Sequence, residues 1–318
     1  MTSRIFSPVS LLLLVISVTC SAQVTKFASG HSVTIPIDVD NNIIRLKVSV
    51  DGSKPITMIF DTGASMTIID DKVAAKLALK PTGQTLKGSG LSASFGGSYL
   101  GKTSLAVNGV EVSEQPVGAY PQNAPPGFEF DGVLGYDFIK AFVVEIDFDK
   151  KSMTLTDPAF YTYRGRGEVV SLNLKGPKTP RIAATLANPR DKLKLAANLE
   201  LDTGFDAALS LAGRYVRAHN LLSYFNDGKQ SRANGAGGTQ QRVLVTFDQA
   251  SFGGILFTQP KVFLSLGTGG SDADPTSDGV IGGEILRRFK MIIDYSRNRL
   301  ILEKNEHFNE PFDVEDSD

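Results

Sequence analysis

Two short stretches of this chain read almost alike: TMIFDTG at residues 57–63 and NLELDTG at residues 198–204. Each follows an alternating, strand-like segment with a turn inside it, at Asp51-Gly52 in the first copy and near Pro189 in the second. A lone Asp-Thr-Gly is weak evidence, because such tripeptides are common in turns. Two copies in similar surroundings indicate an internal duplication.

A second pair of motifs supports the duplication. GVLG begins at Gly132 and GVIG begins at Gly279, and a short helical stretch and a hairpin-like pair of strands follow each one. The interval from Gly132 to Asp147 is 15 residues (147 − 132), and the interval from Gly279 to Asp294 is also 15 (294 − 279). One repeat of this length predicts two related lobes rather than a solenoid.

Short alternating segments separated by turn residues make up most of the 318-residue chain. We predict a mainly β protein of two similar lobes, residues 23–160 and 161–304, with a few short helices. One helix is predicted over residues 71–77, capped by Asp70, and its counterpart lies within residues 211–221.

Two segments lack a regular pattern. Residues 156–172 are the predicted crossover between the lobes, because Pro158, Gly165 and Gly167 interrupt any strand or helix there. Residues 305–318 form an acidic tail that we predict to be solvated and disordered.

Charge and composition exclude several classes of function. The formal net charge is −1, which argues against a surface built to coat nucleic acid or an anionic membrane. With Cys 1 and His 3, the chain cannot build a four-cysteine or two-cysteine–two-histidine zinc site, or an internal disulfide. A histidine-dependent hydrolase would have to use His31, His219 or His307. We expect no metal and no cofactor.

Residues 1–22 have the pattern of a secretory signal peptide. Arg4 supplies a positive charge, and residues 9–18 form an apolar segment too short to span a bilayer comfortably. We therefore expect an exported protein, periplasmic or secreted, whose mature chain contains no cysteine. An uncleaved signal anchor and a lipid anchor at Cys20 are the alternatives, although the residues before Cys20 make a poor lipidation motif.

The paired motifs resemble those of a known family. FDTGAS with GVLG, and LDTGF with GVIG, resemble the active-site loop and the hydrophobic-hydrophobic-glycine motif of the aspartic protease superfamily. The local sequences resemble the retropepsin-like families, and the two copies in one chain resemble the layout of pepsin. The resemblance extends over about residues 33–302. It implies a bilobal acid-protease fold of two similar β-barrel-like lobes that hydrolyses peptide bonds in an extended polypeptide.

The resemblance implies that Asp61 and Asp202 form a catalytic dyad on a pseudo-two-fold axis. The chemistry fits these residues, because two carboxylates held face to face cannot both ionise and so share one proton. The ionised member takes a proton from water, and the protonated member hydrogen-bonds the scissile carbonyl. The sequence does not decide which aspartate is the base.

The resemblance also implies supporting roles. Thr62 and Thr203 would hydrogen-bond across the lobe interface and hold the two loops rigid. Gly63 and Gly204 would permit the tight turn and present backbone N–H groups to the carboxylates. GVLG and GVIG would pack against the loops as apolar supports.

Two glycine-rich stretches lie where the superfamily has a flap, SGLSASFGG at residues 89–97 and NGAGGTQQ at residues 234–241. A flap is a mobile hairpin that closes over the substrate and excludes water. An ordinary flexible hairpin is the alternative for each stretch. Tyr99 is a candidate flap aromatic, with packing as its more ordinary role. The candidate flap residues are Gly88, Ser89, Gly90, Gly235, Ala236 and Gly237.

Two positions depart from the pepsin pattern. Pepsin-type enzymes carry Ser or Thr directly after the motif, where the hydroxyl favours ionisation, but here Ala64 and Phe205 follow it. We therefore predict that the dyad titrates at higher pH and that activity peaks at a less acidic pH than in pepsin. The next residues are Ser65 and Asp206, and we expect the Asp206 carboxylate to be solvated at the loop edge.

The leading interpretation is an exported aspartic endopeptidase, monomeric, with one intramolecular dyad. A peptide- or protein-binding module of the same fold without turnover is the first alternative, and the presence of both aspartates argues against it. A homodimer in which like lobes pair is the second, and two unlike copies in one chain argue against it.

Several other polar residues are expected to be structural. Asp147 and Asp294 precede hairpin turns. Asp272 and Asp274 are expected in a solvated loop, because no calcium-binding pattern surrounds them. His219 lies in a predicted helix, where a surface or core role is the default.

Overall fold

The computed structural model describes residues 23–122, 128–176, 178–188 and 192–312. The predicted signal peptide, the predicted turn near Pro189 and the tail from residue 313 lie outside the described residues. Within the described ranges, no helix is long and apolar enough to cross a membrane.

The first half of the described chain is mostly strand. Its elements are β1 (Val24–Phe27), β2 (Ser32–Pro36), β3 (Asp38–Asp40), β4 (Ile43–Val50), β5 (Ile56–Phe60), β6 (Thr67–Ile69), α1 (Asp71–Lys76), β7 (Thr85–Ser89), β8 (Ser94–Val107), β9 (Val110–Ala119), β10 (Gly132–Leu134), α2 (Tyr136–Ile139), β11 (Val143–Asp147) and β12 (Ser152–Thr156).

The second half repeats this plan. Its elements are β13 (Glu168–Ser171), β14 (Arg181–Asn188), β15 (Leu193–Leu201), β16 (Leu209–Leu211), α3 (Gly213–Ala218), β17 (Lys229–Gly235), β18 (Gly238–Thr246), β19 (Gln249–Phe252), β20 (Ile255–Thr258), β21 (Lys261–Ser265), β22 (Gly279–Ile281), α4 (Gly283–Leu286), β23 (Phe289–Asp294) and β24 (Arg299–Lys304), with 3₁₀ turns at Leu221–Tyr224, Gly270–Ala273 and Tyr295–Arg297.

Each half builds a sheet of its own. Among the described residues, the first sheet has nine strands in the order β1-β9-β6-β10-β5-β4-β8-β7, with β3 beside β4. The second also has nine, in the order β17-β18-β21-β16-β22-β15-β14-β19-β20. In both sheets a short strand runs parallel to the strand that ends at Asp-Thr-Gly: β10 beside β5, and β22 beside β15. The predicted mainly β fold with a few short helices is confirmed.

A third sheet joins the two halves. It has six described strands in the order β13-β24-β23-β11-β12-β2, so each half contributes three of them. At its centre β11 and β23 pair antiparallel, with Val144 opposite Ile293. Both residues are fully buried. The lobes therefore share a continuous hydrogen-bonded platform, and β13 of this platform begins inside the segment predicted as a crossover.

Alternating burial explains why these segments form strands. In β4 the side chains of Leu46, Val48 and Val50 are buried, while Lys47 between them is exposed. This period of two places one face of the strand on the core. The hairpin to β5 turns at Asp51 and Gly52, whose φ angles of 47° and 75° match the left-handed pair that tight hairpins require.

Helix α1 begins and ends close to the predicted positions. The Asp70 carboxylate accepts hydrogen bonds from the backbone N–H groups of Lys72 and Val73, which have no partner inside the helix. The chain leaves the helix through Ala78, whose φ of 56° is left-handed. In the second half α3 is shorter than the predicted range 211–221 and lacks a side-chain cap of its own.

The acidic tail is docked over its first part, residues 305–312. The Arg288 side chain is 1% exposed, and its guanidinium donates to the backbone carbonyls of Phe308 and Pro311. It also lies over the ring of Phe312, 4.1 Å from the centroid. The solvated tail predicted from sequence differs from this arrangement, because a buried guanidinium needs acceptors that the folded-back chain supplies.

Candidate active site

Asp61 and Asp202 each stand directly after a buried strand end, at Phe60 and Leu201. Both side chains are partly exposed. The backbone N–H of Asp61 donates to the Leu134 carbonyl at 3.0 Å, and that of Asp202 donates to the Ile281 carbonyl at 2.9 Å. Leu134 and Ile281 occupy equivalent positions in the GVLG and GVIG motifs. Each motif therefore holds the backbone N–H of its aspartate in the same way.

The two threonines hold the loops to each other. The backbone N–H of Thr62 donates to Thr203 Oγ1, and that of Thr203 donates to Thr62 Oγ1, both at 3.1 Å. Each hydroxyl then donates across the interface, Thr62 to the Leu201 carbonyl and Thr203 to the Phe60 carbonyl. Both threonines are buried, so these bonds are shielded from water.

The two glycines bring the carboxyl groups together. The N–H of Gly63 donates to Asp61 Oδ1, and the N–H of Gly204 donates to Asp202 Oδ1, both at 2.7 Å. A Cβ added at Gly63 would lie 2.6 Å from Cγ of Asp202, and one added at Gly204 would lie 2.6 Å from Cγ of Asp61. Each carboxyl group therefore lies against the loop of the opposite lobe, and no side chain fits between them.

Both carboxyl groups titrate above the ordinary range of aspartate. Burial raises the pKa of Asp61 most, and the charge and hydrogen bond of Asp202 raise it further. Burial also raises the pKa of Asp202, while hydrogen bonds from Asp61 and from backbone N–H groups of Gly204 and Phe205 hold that pKa down. The pair behaves as one titrating unit in which Asp61 keeps its proton to higher pH.

Comparisons with known proteins point to the family that the paired motifs resemble. Residues 46–138 match a family model described as aspartyl protease. The fold is similar to the crystal structure of an aspartic proteinase from Irpex lacteus, with a TM-score of 0.52 and 13% sequence identity over 89% of this chain and 100% of that one. Both findings support the resemblance of this chain to the aspartic protease superfamily. No curated protein sequence matches it.

The recognised superfamily and its bilobal fold confirm the resemblance found in the sequence. They support a peptidase in general terms. The family match ends at residue 138, so it covers the Asp61 loop only. The case for the Asp202 loop rests on its hydrogen bonds in the structure. The catalytic roles of Asp61 and Asp202 stay predictions, and the structure adds the hydrogen bonds that surround them.

The predicted flap stretches form two hairpins, one from each lobe. In the first, β7 and β8 pair from Thr85 opposite Ser98 to Ser89 opposite Ser94, and residues 90–93 make the tip. In the second, β17 and β18 pair up to Gly235 opposite Gly238, and Ala236 and Gly237 make the tip. The tips contact each other: the Leu91 N–H donates to the Ala236 carbonyl, and Ser92 Oγ donates to the Gly237 carbonyl, both at 2.6 Å.

The aromatic ring of the first hairpin belongs to Phe95 rather than to Tyr99. Phe95 packs on Tyr120 with ring centroids 4.2 Å apart, and its ring occupies the space that a Cβ at Gly88 would need. Gly88 is therefore a packing glycine in the hairpin arm, and it is not part of the tip.

Glu200 is a third carboxyl group near the dyad that the sequence reasoning missed. It precedes Asp202 by two residues, and its Oε2 accepts a hydrogen bond from Thr179 Oγ1 at 2.8 Å. Burial raises the pKa of Glu200 to about 8, and the charge of Asp202 adds to the effect. The corresponding first-lobe residue is Ile59, so a charged residue where the other repeat has an apolar one was the available signal.

Tyr295 is a second residue that the sequence reasoning missed, and it lies within the electrostatic influence of the dyad. It is 6% exposed and stacks on Tyr136 with ring centroids 5.5 Å apart. Its hydroxyl is buried with no hydrogen-bond partner among the described residues. Burial raises the pKa of Tyr295 most, and the charge of Asp61 raises it further. The phenol therefore stays neutral beside the dyad charges.

The neighbours of the motif behave differently in the two lobes. Asp206 is exposed, as predicted, and its charge is one of the smaller causes that raise the Asp202 pKa. Its backbone carbonyl accepts from the Asn42 side chain of the first lobe at 2.9 Å. The carbonyls of Ala64 and Phe205 accept from Tyr136 and Gly283 at the starts of α2 and α4. The loops are thus tied to short helices on both sides.

Of the residues expected to be structural, Asp294 and His219 fit that role. Asp294 is fully buried, and its carboxylate accepts from Arg297 and Arg299. His219 packs on the Tyr215 ring, with centroids 4.3 Å apart. The prediction for Asp272 is wrong: its side chain is 3% exposed because it accepts hydrogen bonds from groups that fold over it.

Among the described residues, one group of side chains could hold a metal ion by geometry, and it includes neither Asp61 nor Asp202. Asp149, Glu306 and His307 bring ligand atoms within 4.8 Å of one another. The two acidic residues are exposed, and His307 already contacts the Glu310 carboxylate at 2.7 Å.

Proposed function

We propose that the chain is an aspartic endopeptidase that hydrolyses peptide bonds with a water molecule activated by Asp61 and Asp202. The observation that carries the proposal is the reciprocal cross-lobe bonding of Thr62 and Thr203, which holds two carboxyl groups of raised pKa against each other. Two carboxyl groups held against each other are costly for stability alone, because their like charges repel when both ionise. The use of such a pair is general acid–base chemistry.

In the proposed mechanism, Asp61 starts protonated and Asp202 starts ionised. The Asp202 carboxylate takes a proton from water while the water oxygen attacks the scissile carbonyl carbon, and Asp61 passes its proton to the carbonyl oxygen. The resulting tetrahedral diol collapses as Asp202 returns its proton to the leaving nitrogen and Asp61 recovers a proton from one hydroxyl. The C–N bond breaks, and the dyad returns to its starting state.

The proposed substrate is an extended polypeptide that lies between the dyad and the two hairpins. The exposed strand edges of hairpins can pair with an extended chain through main-chain hydrogen bonds. We further propose an exported, monomeric enzyme, from the signal-like segment at residues 1–22 and from two unlike dyad loops in one chain. Anchoring at Cys20 stays the alternative for location. A binding module without turnover stays the alternative for function.

The proposal is tested by cleavage of denatured casein from acidic to neutral pH, with and without pepstatin. Asp61→Asn and Asp202→Asn should each lose at least about a thousandfold in kcat, since neither lobe can supply both carboxyl groups. Asp227→Asn changes an exposed aspartate and serves as the matched control. Near-full activity in either dyad variant would exclude a single intramolecular dyad. A folded wild type that cleaves at no pH would favour the binding module.

A further inference from the structure

The tip of the first-lobe hairpin is seated in a receptor made by the second lobe. Besides the bonds to Ala236 and Gly237, the backbone carbonyl of Leu91 accepts from Gln240 Nε2 at 3.1 Å and from Ser271 Oγ at 3.3 Å. The Gly90 carbonyl accepts from the Ser271 N–H at 2.8 Å. These bonds join the first-lobe tip to the second lobe in one hydrogen-bonded contact, which we call the roof.

The side chain of Gln240 is oriented by a buried carboxylate. Its Nε2 also donates to Asp272 Oδ2, and Ser265 Oγ donates to the same oxygen at 2.6 Å. The other oxygen of Asp272 accepts from the backbone N–H of Gly213, at the start of α3, at 2.6 Å. With its carboxylate saturated by three donors, Asp272 fixes the Gln240 amide so that an N–H points at the Leu91 carbonyl.

The fit of the tip depends on the absence of side chains. A Cβ added at Gly90 would overlap the Ala236 carbonyl, and one added at Gly237 would overlap the Ala93 carbonyl. A Cβ added at Gly270 would overlap the Gly90 carbonyl. Backbone lies directly on backbone from three directions, so the roof is a shaped contact between the hairpins.

At the position equivalent to Gln240, the first hairpin has no side chain that could hold the second hairpin tip. Counting back from each tip, the third hairpin pair is Lys87 with Gly96 in the first lobe and Ala233 with Gln240 in the second. Gly96 has no side chain with which to grip the other tip. The second lobe is therefore the host, and the first hairpin is the element that it holds.

We propose that Gln240, oriented by Asp272, is a positioning residue that clamps the first hairpin tip onto the second lobe, so that a polypeptide reaches the dyad only when this clamp opens. The proposal rests on the proposed peptidase function. The substrate class that it implies is a flexible chain that enters while the tips are apart and is enclosed when they meet again.

A reversible cross-link tests whether the tips must part. A Cβ at Gly235 would lie 3.4 Å from Cβ of Leu91, close to the roughly 3.8 Å of a disulfide. In a Cys20→Ser background, Leu91→Cys/Gly235→Cys should lose at least about 95% of casein cleavage on oxidation and regain it with dithiothreitol. Each single variant, treated with the same oxidant, is the control. Equal activity of the oxidised and reduced forms, or failure of the pair to cross-link, would overturn the proposal.

Hydrogen exchange tests the role of Gln240 without using activity. Gln240→Ala should speed exchange of the Leu91 amide by about fivefold, the effect of losing one hydrogen bond. Gln241→Ala, at the exposed neighbouring position, should leave it unchanged. Asp272→Asn should act like Gln240→Ala, and the double variant should add nothing, because both break the same relay.

The outcomes separate the clamp from the peptidase. If Leu91 exchanges at the wild-type rate in Gln240→Ala, or if the two single effects simply add, the clamp model is refuted whatever the activity. If the reduced cross-linking variant and the wild type both leave casein intact while the exchange effects hold, the clamp stands and the peptidase proposal fails. Thermal unfolding of each variant confirms that the fold is kept.

Discussion

The loops at Asp61 and Asp202 are one structure built twice, whereas the groups around and above them differ between the lobes. Each aspartate has the same backbone anchor, the same glycine N–H and a reciprocal threonine. Beside them Glu200 replaces Ile59, and above them Gln240 replaces Gly96. The dyad loops, which must supply two equivalent carboxyl groups, are the same in both lobes. Positions where one group suffices, such as Glu200 and Gln240, differ between the lobes.

The largest expected effect tests the symmetry at the dyad. Gly63→Ala and Gly204→Ala each place a methyl group 2.6 Å from Cγ of the opposite aspartate, which forces the carboxyl groups apart. We expect each variant to lose at least about a hundredfold in kcat, measured on an unstructured polypeptide. The two losses should be similar. A loss in only one variant would break the equivalence of the two loops.

A smaller effect is expected from the threonines. Thr62→Val and Thr203→Val keep the buried shape but remove a hydroxyl that both donates and accepts across the lobes. Each should lower the free energy of unfolding by about 2 kcal/mol, measured by urea denaturation. The double variant should lose less than the sum, because the residues share their bonds. Additive losses would contradict a reciprocal network.

Glu200→Gln tests the difference between the lobes through the pH dependence of stability. The raised folded pKa of Glu200 means that its contribution to stability is complete below its unfolded pKa and is lost as pH rises towards about 8. Over that pH interval the free energy of unfolding of the wild type should therefore fall by on the order of 1 to 2 kcal/mol. The Glu200→Gln variant should not show this loss. Thermal unfolding between pH 4.5 and 8.5 measures this.

The same substitution should move the activity profile. Ionised Glu200 raises the pKa of Asp61, so its removal should shift the upper limb of the pH–kcat profile to lower pH. Glu168→Gln, at an exposed position in β13, is the matched control. An unchanged limb in Glu200→Gln would show that this carboxyl group does not act on the dyad.

The smallest effect is expected from Ala64→Ser. A hydroxyl beside the Asp61 carboxylate would favour its ionised form, so the dyad should titrate a few tenths of a pH unit lower than in the wild type. Ser65→Ala, at the next position, is the control. A shift of the profile to higher pH in Ala64→Ser would contradict the predicted role of this position.

Features that depend on local sequence were predictable. Asp70 caps α1 because a carboxylate follows a strand and precedes a helix-forming run. The left-handed pair at Asp51 and Gly52 turns the first hairpin for a similarly local reason. The duplicated Asp-Thr-Gly and glycine motifs predicted the mainly β, two-lobed fold, because each repeat carries its own strand, loop and support.

Features that depend on contacts far apart in the chain were not predictable. Asp272 is separated by 32 residues from Gln240 and by 59 from Gly213, and the nearby Asp274 suggested a solvated loop. The docking of residues 305–312 likewise depends on Arg288, which sequence alone does not place in the interior. Burial of a polar group is decided by which partners the fold supplies.

The sequence by itself determined that two equivalent aspartates would lie on two equivalent loops, because identical local motifs adopt identical turns and supports. Only the tertiary structure decided that Glu200 shares the dyad's electrostatic environment and that Gln240 holds the Leu91 carbonyl. The physical reason is that hydrogen bonds and charge interactions act over a few ångströms in space. Chain distance alone does not report which groups the packed lobes bring that close.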